Sequence, residues 1–227
     1  MTNLLLPFKK EQHIHYFAAS LQGLSGPYAK LDTNRMTLVH FATNALDLLG
    51  VWDNDELLET LNLSKKKIID WIYSLQRTSK DVPPAQVGFQ GGTFLGPTTS
   101  TTVSDEYNQG HIAMTYTALC TLTALGDDLS RVDKAGIVNG LESLQRKDGS
   151  FQCVHVTSEH DMRFLYCACA ISYMLQDWSG VDIDRALSYI ESCRSFDGAI
   201  ALIPEQVCMI CKNTGCELII IWRRAGC

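Results

Sequence analysis

The chain has 227 residues, 46% of them apolar and 19% charged. That composition excludes a disordered or low-complexity protein and leaves room for a sizeable core. With 25 acidic and 19 basic residues the net charge is −6, so no basic surface points to nucleic acid or an anionic membrane.

Residues 1–7 hold three consecutive leucines, too short a run for a signal-peptide core. Residues 38–49 carry Leu38, Phe41, Ala42, Ala45 and Leu49 at helical spacing, and Gly50 follows as a stop. Residues 65–76 form an amphipathic helix with Ile68, Ile72 and Leu75 on one face; Lys65, Lys66 and Lys67 are its solvated face. A segment rich in Pro, Gly and Thr spans 77–109. Residues 112–126 contain no charge and end at Gly126, so they predict a helix buried on most sides. Residues 131–145 return to the amphipathic pattern with Ile137, Leu141 and Leu144. Residues 164–176 are again uncharged, with Gly180 as the expected stop, and 183–194 are amphipathic through Ala186, Ile190 and Cys193. No proline falls between Pro97 and Pro204, as successive helices require. No apolar stretch has the character of a membrane span. The nine cysteines are odd in number and several lie in helical runs, which reads as reduced thiols in a cytoplasmic protein.

Buried and amphipathic helices therefore alternate three times. Residues 141–149 align with 190–198, and 71–76 align with the start of both, a repeat of about 50 residues. Paired helices of this kind stack side by side. With buried helices inside and amphipathic ones outside, the expected fold is all-α: an α/α toroid with a central cavity, about half of its ring present.

Residues 69–76, 110–117, 126–132 and 161–168 resemble the β subunits of the protein prenyltransferase family, and among them the geranylgeranyltransferase type I branch. Asp148-Gly149-Ser150-Phe151 is similar to the repeat motif of that family. The resemblance runs from about residue 8 to 198. It implies an α/α barrel that pairs with a separate α subunit. The pair transfers a geranylgeranyl group from geranylgeranyl diphosphate to the cysteine of C-terminal CaaX motifs, as found on small GTPases. It also implies a zinc ion that favours the substrate thiolate.

Residue by residue, the resemblance puts Thr37, Tyr116, Arg163 and Tyr166 at the isoprenoid. It puts Phe41, Met114, His111, Glu159 and Arg163 at the CaaX peptide, the last three around a water beneath the peptide carboxylate. Thr37 is the informative one. A small residue leaves space for a twenty-carbon chain where the farnesyl branch has a bulky Trp.

The likeness stops after Gly198. The family's zinc ligands and diphosphate-binding residues have no match here, so no catalytic or metal-binding residue is assigned. The expected division is 1–198 as the first part of the barrel and 199–227 as a divergent tail with Cys208, Cys211, Cys216 and Cys227. The alternative function is a non-catalytic short form that binds the α subunit or the isoprenoid. A terpene cyclase would share the fold but needs an acid-rich motif facing the cavity; Asp127-Asp128 follows Gly126 and reads as a loop pair.

Overall fold

The computed structural model describes residues 8–93, 109–156, 159–196 and 198–205. Within them lie α1 (Lys10–Gln22), α2 (Arg35–Leu48), α3 (Asp55–Thr60), α4 (Lys65–Ser74), α5 (Ile112–Ala124), α6 (Lys134–Leu144), α7 (Met162–Leu175) and α8 (Ile183–Ser192). Two 3-10 turns, Gly26–Asn34 and Pro84–Gln86, and two strands of two residues each, β1 (Gln76–Arg77) and β2 (Gly88–Phe89), complete the order. All three expected helix pairs are present: α2 with α4, α5 with α6, and α7 with α8.

Local chemistry explains most boundaries. Asp133, Asp161 and Asp182 cap α6, α7 and α8 by accepting the backbone N–H of Gly136, Arg163 and Arg185 at 2.9–3.0 Å. Gly50 and Gly126 take positive φ values of 73° and 82°, the left-handed stops that the pattern predicted. Gly180 is a correction. Helix α7 ends at Leu175 and Gln176 itself adopts the left-handed conformation, with φ 57°. Gly180 serves close approach instead, because a Cβ there would strike the Val138 carbonyl of α6.

α2 packs on α5, and α5 on α7, to form an inner row. The amphipathic helices α4, α6 and α8 lie behind it. They contribute Ile72, Ile137, Leu141, Ala186 and Ile190 to one core shared with Leu119, Leu122, Leu165 and Ile171 of the inner helices. Each fully buried Leu or Ile contributes about 2 kcal/mol. Helix α1, which the sequence pattern did not yield, packs on α2 and buries only Ile14 and Ala18 in a second cluster around Leu46, Val51 and Trp52.

The repeat is visible in hydrogen bonds as well as helices. After each outer helix the chain turns back in a short hairpin, pairing Gln76 with Phe89, Gln145 with Phe151 and Arg194 with Ile200. The next residue donates to the end of the outer helix: Gln90 to Leu75, Gln152 to Leu144, Ala201 to Cys193 (2.8–3.1 Å). The carbonyl one further on receives an N–H from the start of the inner helix: Gly91 from Met36, Cys153 from Ile112, Leu202 from Met162 (2.7–3.0 Å). The hairpin thus fastens outer to inner helix in all three units, and the third extends past residue 198 to Leu202. Residues 206–227, with the four tail cysteines, lie outside the described residues.

Candidate functional site

On α5 and α7 the unburied residues form a narrow stripe, Ala113, Tyr116, Cys120 and Thr123 on the first and Arg163, Tyr166, Ala170 and Tyr173 on the second; α2 is less covered, and the matching stripe on it is Thr37, Phe41, Asn44 and Leu48. The spacing of three and four residues keeps each set on one helix face.

Contacts join the stripes across the row. The Thr37 hydroxyl donates to Met114 Sδ at 3.4 Å. The His40 ring lies 5.7 Å from Phe41 and 6.2 Å from Tyr116, centroid to centroid. Tyr116 meets Tyr166 edge to face at 5.6 Å, with their hydroxyls 3.5 Å apart. Cys120 Sγ lies 3.8 Å from Met174 Sδ. Burial raises the Tyr116 phenol and Cys120 thiol above their ordinary pKa values, and the Tyr166 hydroxyl raises Tyr116 further. The middle of this face is aromatic, uncharged at neutral pH and suited to a hydrocarbon.

One end of the face is polar. Arg163 starts the α7 stripe, and its Nη2 donates to Glu159 and to Asp161, both at 2.7 Å, while Nε donates to Asp161 Oδ1 at 3.0 Å. The guanidinium is held in its charged form, first by Asp161 and then by Glu159. Both carboxylates face Nε and Nη2, which leaves Nη1 for an outside acceptor. His111 caps α5, its Nδ1 accepting from the Ala113 N–H at 3.1 Å. Burial depresses its pKa to about 4, against an upward pull from Glu159. It is therefore neutral at pH 7 and carries its proton on Nε2.

Among the residues that the resemblance marked, Thr37, Tyr116 and Tyr166 sit half-buried on the inner face, and Phe41 is 60% exposed there. Met114 differs: it is 8% exposed and lies beneath Thr37, backing the wall rather than forming its surface. Arg163 and Glu159 are joined directly, with His111 close enough for both to act on its titration. Two participants were missed. Asp161 directly precedes α7, so its capping role was legible, but the grip on Arg163 was not. His40 is one polar residue in an apolar run and gave no signal.

The described residues do not fit a zinc site. No three His, Cys, Asp or Glu side chains converge among them. Cys167 is buried with its thiol pushed up to about 12, the opposite of a ligating thiolate. Asp127 and Asp128 sit in the turn after α5, accepting from Leu129 N–H and Ser130 N–H, so they form a loop pair.

Inner helices backed by outer ones, tied three times by the same hairpin, define an arc of an α/α toroid. The model of the Prenyltransferase alpha-alpha toroid domain matches residues 8–208, and the chain belongs to that family. It is 36% identical over 205 residues to the geranylgeranyl transferase type-1 subunit beta of Arabidopsis thaliana, covering 87% of this chain and 52% of that one. The Dictyostelium discoideum subunit of the same name is 36% identical over 210 residues, covering 87% and 58%. Against the Arabidopsis thaliana protein farnesyltransferase subunit beta, identity is 25% over 202 residues, covering 88% and 36%. The chain spans about half the length of the type-1 subunits that it matches. Among solved structures, Candida albicans protein geranylgeranyltransferase-I complexed with GGPP aligns with a TM-score of 0.69, covering 88% of this chain and 55% of that one. At 16% identity it bears on the fold alone.

Proposed function

We propose that this chain forms the first arc of a protein geranylgeranyltransferase type I β subunit, supplying the wall against which the isoprenoid lies and part of the seat for the CaaX peptide. The observation that carries the reading is the aromatic row Phe41–His40–Tyr116–Tyr166, continuous across three inner helices. In the reaction, the CaaX thiolate attacks C1 of geranylgeranyl diphosphate. A C–S bond forms, the C–O bond breaks and diphosphate leaves.

The residues here hold and orient. Tyr116, Tyr166 and Phe41 pack the tail and exclude water. Thr37 keeps space for the last isoprene unit, with Met114 behind it. Arg163, with Asp161 and Glu159 occupying Nε and Nη2, and His111, with Nε2–H, offer donors to the peptide carboxylate through a water. Zinc belongs to the activity but is held by none of the described residues. The partner is a prenyltransferase α subunit and the setting cytoplasmic; no helix among the described residues is long and apolar enough to cross a membrane.

The test is co-expression with a prenyltransferase α subunit. Geranylgeranyl diphosphate binding, zinc content and prenyl transfer to a CaaX peptide ending in Leu are then measured. The reading predicts a soluble pair that binds the C20 diphosphate with transfer far below that of a full-length type-1 subunit. A pair that binds neither C20 nor C15 diphosphate contradicts it. Binding without any transfer or zinc marks the chain as a non-catalytic form.

A further inference from the structure

A polar relay interrupts the aromatic face. Thr121 Oγ1 is fully buried and donates to the Thr117 carbonyl at 2.7 Å. Its hydrogen is spent, so toward His40 Nδ1, 3.2 Å away, it can only accept. Nδ1 therefore carries the imidazole proton. The Asn44 amide nitrogen lies 3.1 Å from each ring nitrogen, an equidistance that places it over the ring face rather than along the in-plane lone pair of Nε2. The relay runs from His40 Nδ1–H to Thr121 Oγ1 and on to the Thr117 carbonyl, and it sets the tautomer of the ring.

We infer that His40 is a positioning residue of the proposed isoprenoid wall: as the neutral Nδ1–H imidazole it ties α2 to α5 and holds the rings of Phe41 and Tyr116 in one row for a hydrocarbon chain. This rests on the isoprenoid reading. Protonation puts a cation beneath the Asn44 N–H and in the middle of the row. A hydrocarbon lying over the ring would remove water from that cation, so the bound lipid and the charged imidazole exclude one another. Burial is the one cause that lowers the His40 pKa, and no charged side chain on α1, α5 or α7 contributes. The titratable groups around it are the Tyr116 phenol and Cys120 thiol on α5, both raised by burial, and beyond Tyr116 the Tyr166 phenol on α7.

The experiment measures geranylgeranyl diphosphate affinity of the full chain at pH 7.5, 6.5 and 5.5 for wild type, His40→Phe and Asn44→Asp. Ratios between variants at one pH cancel the ionisation of the diphosphate itself. The ratio of wild-type to His40→Phe affinity is expected to fall between pH 7.5 and 5.5, by less than about tenfold because burial holds the His40 pKa below its ordinary value. Asn44→Asp sets a carboxylate over the imidazole, favours the imidazolium and moves the loss to higher pH, which keeps the inference testable if His40→Phe does not fold. Nitrogen-15 NMR of the imidazole is expected to report Nδ1–H. A constant ratio with no shift in Asn44→Asp, or an Nε2–H tautomer, overturns the inference while leaving the isoprenoid reading intact. No binding by wild type at any pH overturns both.

Discussion

Thr37 and His111 show how single side chains on this face carry separate demands. Thr37 packs on Met114 and, in the proposed isoprenoid wall, keeps the space beside it. Thr37→Trp fills that space with an indole, and the close-packed backing cannot yield by the volume required. C20 diphosphate binding is expected to drop at least about tenfold, with C15 diphosphate binding retained; equilibrium competition between the two measures it. His111 is depressed from 6.5 to about 4 by burial, so the unfolded chain binds its proton before the folded chain does. The folded state is therefore destabilised as pH falls from about 6.5 to about 4, by at most about 3 kcal/mol, and is unaffected by this group above that window. His111→Asn keeps an N-cap acceptor and removes the titration. It is expected to flatten this part of the pH dependence of the urea midpoint.

At the level of elements, the hairpins and the amide of a single glutamine set the spacing of the repeat. Gln76 donates to the Arg131 carbonyl and accepts the Asp133 N–H; Gln145 does the same with the carbonyl and N–H of Asp182 (2.8–3.1 Å). Each glutamine thus docks the N-terminus of the next outer helix through both halves of its amide. Gln145→Ala removes both bonds and is expected to cost about 1–2 kcal/mol, seen as a lower urea midpoint; Gln145→Glu keeps the acceptor but sets a carboxylate oxygen against the Asp182 carbonyl, so it does not rescue the loss. The alternation of mainly apolar and amphipathic helices was legible in the sequence because burial on most sides leaves little place for charge. The repeat was legible because 141–149 and 190–198 share residues at a fixed offset. Helix α1 was not, since it buries two residues and shows no sustained apolar stripe. The glutamine amides were not either, because they act across about 40–60 residues of chain with no local pattern. Within the site, Thr37, Tyr116 and Tyr166 could be found only through a family resemblance. The residues that orient them, His40 and Asp161, needed coordinates.

Across the molecule, the three hairpins are alike in hydrogen bonding but not in cover. Phe89 and Phe151 are fully buried, whereas their counterpart Ile200 is half-buried. Leu202 is 40% exposed where Cys153 is 4%. A Cβ on Gly149 would strike the Arg185 carbonyl of α8, whereas one on Gly198 meets nothing within 4 Å. Among the described residues, the third hairpin has no counterpart of the layer that the second receives from α8. Amide hydrogen exchange is expected to be slow at Gln90 and Gln152 and markedly faster at Ala201, although all three bonds have similar lengths.

The account turns on the three open stripes forming one lipid wall. A geranylgeranyl diphosphate analogue with a photoreactive distal isoprene unit, cross-linked to the chain in complex with an α subunit and mapped by mass spectrometry, tests that most directly. Adducts are expected on the inner stripes, within 37–44, 113–120 and 163–170. Adducts confined to α4, α6 or α8, or labelling that unlabelled geranylgeranyl diphosphate does not compete away, would contradict it.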